Sequence, residues 1–152
     1  MAVTDLKLSL YKSCLAFIDA RIENARQALK DAQEASNNES KSTAGDKHDT
    51  TRAMMQIEAE QASKQIKEAE KLRDELKRII PTKTYDTVVA GSLVITTSGN
   101  YFVTIAAGKI TVENQTYFAV SVSSPIMQAL KGLKAGDTAV LNGNKIQITA
   151  VS

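Results

Sequence analysis

The sequence predicts an α+β protein, an N-terminal antiparallel helical coiled-coil hairpin followed by a small antiparallel β domain with one short helix. Two observations carry this. The first half is dominated by Ala, Glu, Lys, Gln and Arg, which are strong helix formers. Six of the seven glycines (Gly91, Gly99, Gly108, Gly132, Gly136 and Gly143) follow Pro81, among segments rich in Val, Ile, Thr, Tyr and Phe. The composition therefore divides the chain into residues 1–81 and 84–152, with Pro81-Thr82-Lys83 as the linker.

The first helix is read from a stripe whose steps alternate between three and four: Leu8, Tyr11, Leu15, Ile18, Ile22, Ala25, Leu29 and Ala32. Thr4 or Asp5 can cap it. Met55, Ala59, Ala62, Ile66 and Ala69 form the stripe of the second helix, continued by Leu72, Leu76 and Ile79. Alanines at 25, 32, 59 and 62 allow close approach of the two arms. Between them the polar run from Ser36 to Gly45 reads as a loop, with Asp46 as N-cap of the second helix. One short connection makes the arms antiparallel. Arms of about 28 residues give a rod of roughly 40 Å. Met54 and Met55 are expected to close its apolar end.

In the second half, 85–89, 92–97, 101–106, 109–113 and 116–121 read as strands. Ser98-Gly99-Asn100 and Ala107-Gly108 read as turns. Pro125 opens a short helix over 126–131, which Gly132 ends. Asn142-Gly143 is a two-residue hairpin turn between strands at 138–141 and 145–151.

Composition narrows the function classes. The formal net charge is +2, with 15 Lys/Arg against 14 Asp/Glu in residues 1–83 and 4 against 3 in residues 84–152. That is not the basic excess of a dedicated nucleic-acid binder. The single cysteine, Cys14, lies in an apolar helical stretch and reads as a packing residue. No apolar run reaches the ~20 residues of a membrane helix, and Asp5, Lys7 and Lys12 interrupt any signal-peptide pattern, so a cytoplasmic protein is expected. There is no Ser/His/Asp set, phosphate-binding glycine loop or cofactor fingerprint.

Residues 124–137 read Ser-Pro-Ile-Met-Gln-Ala-Leu-Lys-Gly-Leu-Lys-Ala-Gly-Asp. This resembles the S-P-x-x-x-A-L-x-G-x-x-x-G-D signature of the C-terminal domain of bacterial Gre-type transcript cleavage factors. The stretch Gly91-Ser92-Leu93-Val94 is similar to the start of the same domain, and residues 1–81 match the family's coiled coil in length and position. The resemblance implies an FKBP-like C-terminal domain that binds RNA polymerase at its secondary channel. The matching signature residues are Ser124, Pro125, Ala129, Leu130, Gly132, Gly136 and Asp137. It implies a monomer with no enzymatic activity of its own and no resident cofactor, acting on the 3′ end of nascent RNA through the polymerase. Low aromatic content argues against an apolar pocket of the kind prolyl isomerisation needs.

The family carries G-D-x-x-E-N at the hairpin tip. Here the matching stretch is Gly45-Asp46-Lys47-His48-Asp49-Thr50. By resemblance, Asp46 and Asp49 share a Mg²⁺ ion with the polymerase, which activates the water that cleaves backtracked RNA. The chemistry is coherent by itself. Mg²⁺ prefers carboxylate oxygen and takes one or two carboxylates from a partner. A two-metal site then orients and deprotonates the attacking water. The second acid is Asp rather than Glu, and Thr50-Thr51-Arg52 departs from the family pattern. Lys47, His48 and Arg52 are candidates for contacting RNA beside the tip. Bland readings stand beside these: Asp46 and Asp49 as helix-start residues that complement the dipole, and Lys47, His48 and Arg52 as solvated side chains. Two other functions remain open, a secondary-channel modulator that does not cleave and a coiled-coil adaptor.

Overall fold

Helix propagation carries the first arm further than its apolar stripe requires. In the computed structural model, which describes residues 2–40 and 45–152 and the side chains outside 38–49, α1 spans Val3–Ser40 and α2 spans Gly45–Lys77. The polar stretch 36–40 is therefore helix rather than loop. Ser and Asn cost only about half a kcal/mol each in an established helix, and an elongating helix has already met its nucleation cost. Residues 41–44 of the expected loop lie outside the described residues. Because α2 begins at Gly45, Asp46 lies within its first turn instead of preceding it.

The chain divides into two compact units, Met1–Phe17 with Arg73–Ser152, and Ile18–Leu72. In the second of these, two helical segments run antiparallel. Arg21, Asn24 and Ala25 share a surface hollow with Gln65, while Ala32, Ser36 and Asn37 share another with Met55 and Ala59. Rising numbers on one helix thus meet falling numbers on the other. The seam is thin: Ile18, Ile22, Ala25, Ala32, Ala62 and Ala69 are buried. Alanine lets the backbones approach, as its spacing in the sequence predicts. Met55 is half-buried and lines the second hollow, whereas Met54 is 55% exposed, so the two methionines do not close the apolar end together.

The other unit holds β1 (Leu93–Thr96), β2 (Gly99–Thr104), β3 (Gly108–Val112), β4 (Gln115–Ser121), α3 (Pro125–Leu130), β5 (Thr138–Leu141) and β6 (Asn144–Val151). They form one sheet in the order β3-β4-β2-β1-β6-β5. The sheet is mixed, not wholly antiparallel. β2 and β4 are parallel, with Tyr101 opposite Phe118 and Val103 opposite Val120. β3 is the reason: it pairs antiparallel with the far side of β4 and returns the chain for a second pass in the direction of β2.

A helix packs on each sheet face, and the period of two decides which side chains go where. Leu93, Phe102, Thr104 and Ala119 fall on one face by register. There α1 arrives: Cys14 Sγ lies 3.7 Å from Thr104 Oγ1, and Leu10, Cys14 and Phe102 are fully buried. Burial pushes the Cys14 thiol pKa up, against a smaller opposite pull from Thr104. The packing reading of Cys14 is what the structure shows. The opposite face carries Val94, Val103 and Ile148, which cluster with Met127 and Leu130 of α3 and with Val88 and Ile146.

Two local expectations differ from the structure. Residues 85–89 form no strand; only Thr87 bridges to Lys134. The Val88 amide donates to the Leu133 carbonyl (2.8 Å) and its carbonyl accepts from Gly132 N (2.9 Å), so the turn after α3 takes this segment's hydrogen bonds. The β1–β2 turn is Thr97-Ser98, one step before the expected place. Thr96 Oγ1 fixes it, accepting from Ser98 N and Gly99 N at 3.1 Å and donating to Gly99 O at 2.8 Å. Asn142 and Gly143 have φ of 52° and 80°, as a type I′ hairpin requires.

Candidate functional site

Three places carry polar or binding chemistry: the start of α2, the α3 signature, and the ground beneath α1. Backbone positions 46 and 49 lie three residues apart at the start of α2. The side chains of Asp46, Lys47, His48 and Asp49 lie outside the described residues. Arg52, one turn further on, is exposed. Among the described residues no three His, Cys, Asp or Glu side chains gather as a metal site, and no helix is long and apolar enough to cross a membrane.

The signature stretch folds as a capped helix and a turn. Ser124 is the N-cap of α3, its Oγ accepting from Met127 N at 3.4 Å, and Pro125 follows in the first turn. Gly132 stops the helix with φ of 78°, and Gly136 adopts φ of 94°. Asp137 Oδ2 accepts from Lys134 N at 2.9 Å and closes the turn between them. Leu130 is fully buried, so it anchors α3 from below. Ala129 is half-buried and Pro125 exposed, so they lie nearer the solvent side. The signature residues thus divide into a buried support and a narrow outer surface.

Sequence reasoning missed Lys7. Its side chain is fully buried. Its Nζ donates to the carbonyls of Lys83 (2.5 Å) and Ser152 (3.2 Å), and lies 5.0 Å from the centre of the Tyr85 ring. Lys83 Nζ lies 5.2 Å from the same ring. Burial pushes the Lys7 pKa down to about 8. One ammonium therefore ties α1 to both the linker and the end of β6. A signal was present: Lys7, Leu10, Cys14 and Ile18 form a second stripe with steps of three and four, displaced from the one beginning at Leu8.

The β-bearing unit also contains an apolar cavity of about 250 Å³ lined by Val88, Val89, Ala90, Val103, Val122, Met127 and Lys131. It corrects the expectation that few aromatic residues preclude such a pocket. Aliphatic side chains build it instead.

No family model matches the chain, and no curated protein matches it significantly. Among solved structures, one described as that of the transcription factor Gfh1 is similar to this chain. It shares 19% identity, covering 93% of this chain and 92% of the other, with a TM-score of 0.33.

Proposed function

We propose that the chain is an accessory transcription factor that binds bacterial RNA polymerase through residues 84–152 and inserts the α1–α2 hairpin into the secondary channel. Asp46 and Asp49 then share a Mg²⁺ ion with the polymerase and stimulate its own cleavage of backtracked RNA. The observation that carries the reading is the 124–137 signature, folded as a Ser-capped helix with a Gly136-Asp137 turn in a domain that follows a long helix pair. The spacing of three between Asp46 and Asp49, at the start of a helix, supports the tip chemistry. Lys47, His48 and Arg52 lie beside those acids in sequence and would contact RNA phosphate.

The test is a stalled, backtracked polymerase complex with the protein added. Shortened RNA that disappears with Asp46→Asn is the expected result. Polymerase binding without cleavage selects the modulator reading, and absence of binding overturns the polymerase reading altogether.

A further inference from the structure

We infer that the sheet face bearing α3 continues into a docking groove for an extended segment of a partner protein, one with aliphatic side chains flanked by carboxylates. The inference rests on the reading of residues 84–152 as a docking domain, and it names the chemistry that domain selects.

The groove begins at the 250 Å³ cavity beside Met127. Val122 lines that cavity and is 41% exposed. From there an apolar row follows β4. Phe118 and Val120 point to the α3 side by strand alternation, and Phe118 is 38% exposed. Tyr101, on the adjoining strand, packs against Phe118 with ring centres 6.1 Å apart. β4 ends at Ser121, so Phe118 and Val120 lie one strand repeat apart, roughly 6.7 Å, and Val122 continues the row in the turn that follows. A row at that period matches alternate side chains of an extended polypeptide better than one compact ligand.

Charge sets the rest of the occupant. Lys131 is the sole charged residue lining the cavity. Lys109 on β3 lies directly opposite Phe118, at the other end of the row. A cation thus stands at each end of an apolar strip. Carboxylates beside the aliphatic groups of the partner would meet both, while a basic segment would be repelled.

The test uses the full chain, isotopically labelled, and two synthetic peptides. One alternates leucine with glutamate, the other leucine with lysine. The glutamate peptide is expected to shift the amide signals of Val88, Val103, Val122 and Lys131, and to bind at least about tenfold more tightly than the lysine peptide. Val122→Glu, at an exposed position, should weaken binding by about tenfold or more. Lys131→Glu should reverse the preference between the peptides. Equal binding of the two peptides, no binding, shifts mapped elsewhere, or groove signals that move with protein concentration alone would each overturn the inference. The experiment contains no polymerase. A silent groove with intact polymerase binding therefore removes this inference alone, and a responsive groove with no polymerase binding removes only the polymerase reading.

Discussion

The unit containing the sheet and the unit containing most of the helix pair are held together by different means. In Ile18–Leu72 the buried side chains are Ile18 and Ile22 together with four alanines. Little apolar area is removed from water per residue, and stability comes from length and close backbone approach. In Met1–Phe17 with Arg73–Ser152, Leu10, Phe102, Ile105, Met127, Leu130 and Ile148 are all essentially inaccessible. Even the lysine on that part of α1 is buried. A single helix, α1, thus follows two burial rules along its length: one narrow stripe beyond Phe17, and a second stripe through Lys7, Leu10 and Cys14 before it. A helix lying on a sheet must bury more than one side.

This contrast can be broken experimentally, because every tyrosine and phenylalanine of the chain falls in the sheet-bearing unit. Tyrosine fluorescence reports that unit alone, while the far-ultraviolet helical signal is weighted toward α1 and α2. The largest effect is expected from Phe102→Ala, which empties a fully buried site and should cost about 3–5 kcal/mol. Guanidinium unfolding followed by tyrosine emission should show it. A helical signal that falls in parallel would show that the two regions unfold as one.

Lys7 gives the next effect, and its sign follows from the direction of its shift. The native side chain releases its proton near pH 8, whereas the unfolded one holds it to about 10.5. Between those values the unfolded lysine holds a proton that the native one has lost, so the Lys7 contribution to stability should rise with pH, while the raised Cys14 thiol pulls the other way above about pH 9. Below about pH 8 both states are protonated and the slope vanishes. Lys7→Met should abolish this rise. If the slope persists in the variant, another group carries it.

How much of this was legible beforehand depended on what each residue touches. The helix pair, α3 and the Asn142-Gly143 hairpin followed from local rules, because spacing, capping and turn chemistry act over a few residues. The Val88 segment reads as a strand from its apolar pattern, but its hydrogen-bond partners, Gly132 and Leu133, lie far along the chain and no local signal shows them. The parallel β2–β4 pairing has the same origin, since no local signal specifies which side of β4 receives β3. The charge of Lys7 argues for solvent, and only the convergence of the Lys83 and Ser152 carbonyls gives its ammonium partners indoors. At the candidate site, the Asp46–Asp49 spacing was plain in the sequence. The groove beside α3 was not, because it joins Val88, Val103 and Val122 from three separated segments.

On the helix-pair side, Ala62→Leu sharpens the contrast. Ala62 is buried where the two helices approach closely, so added methylenes should force them apart at a cost of about 1–3 kcal/mol. The helical transition should move and the tyrosine transition should not. An equal shift in both would erase the distinction between the two regions.

The smallest effect tests whether a short helix depends on its cap. α3 has only six residues, and Pro125 has no amide hydrogen to satisfy. The Ser124 hydroxyl serves Met127 N at 3.4 Å, a long bond, so Ser124→Ala should cost about 1 kcal/mol or slightly less. Tyrosine emission should record it, because Met127 and Leu130 seat α3 on the face that carries Tyr101. Ser124→Asp keeps an acceptor at the same place and should recover most of the loss. The helical signal should stay where it is, since α1 and α2 gain nothing from this cap. If Ser124→Ala leaves the tyrosine transition unchanged, packing of Met127 and Leu130 alone holds α3, and the cap is incidental to the sheet-bearing unit.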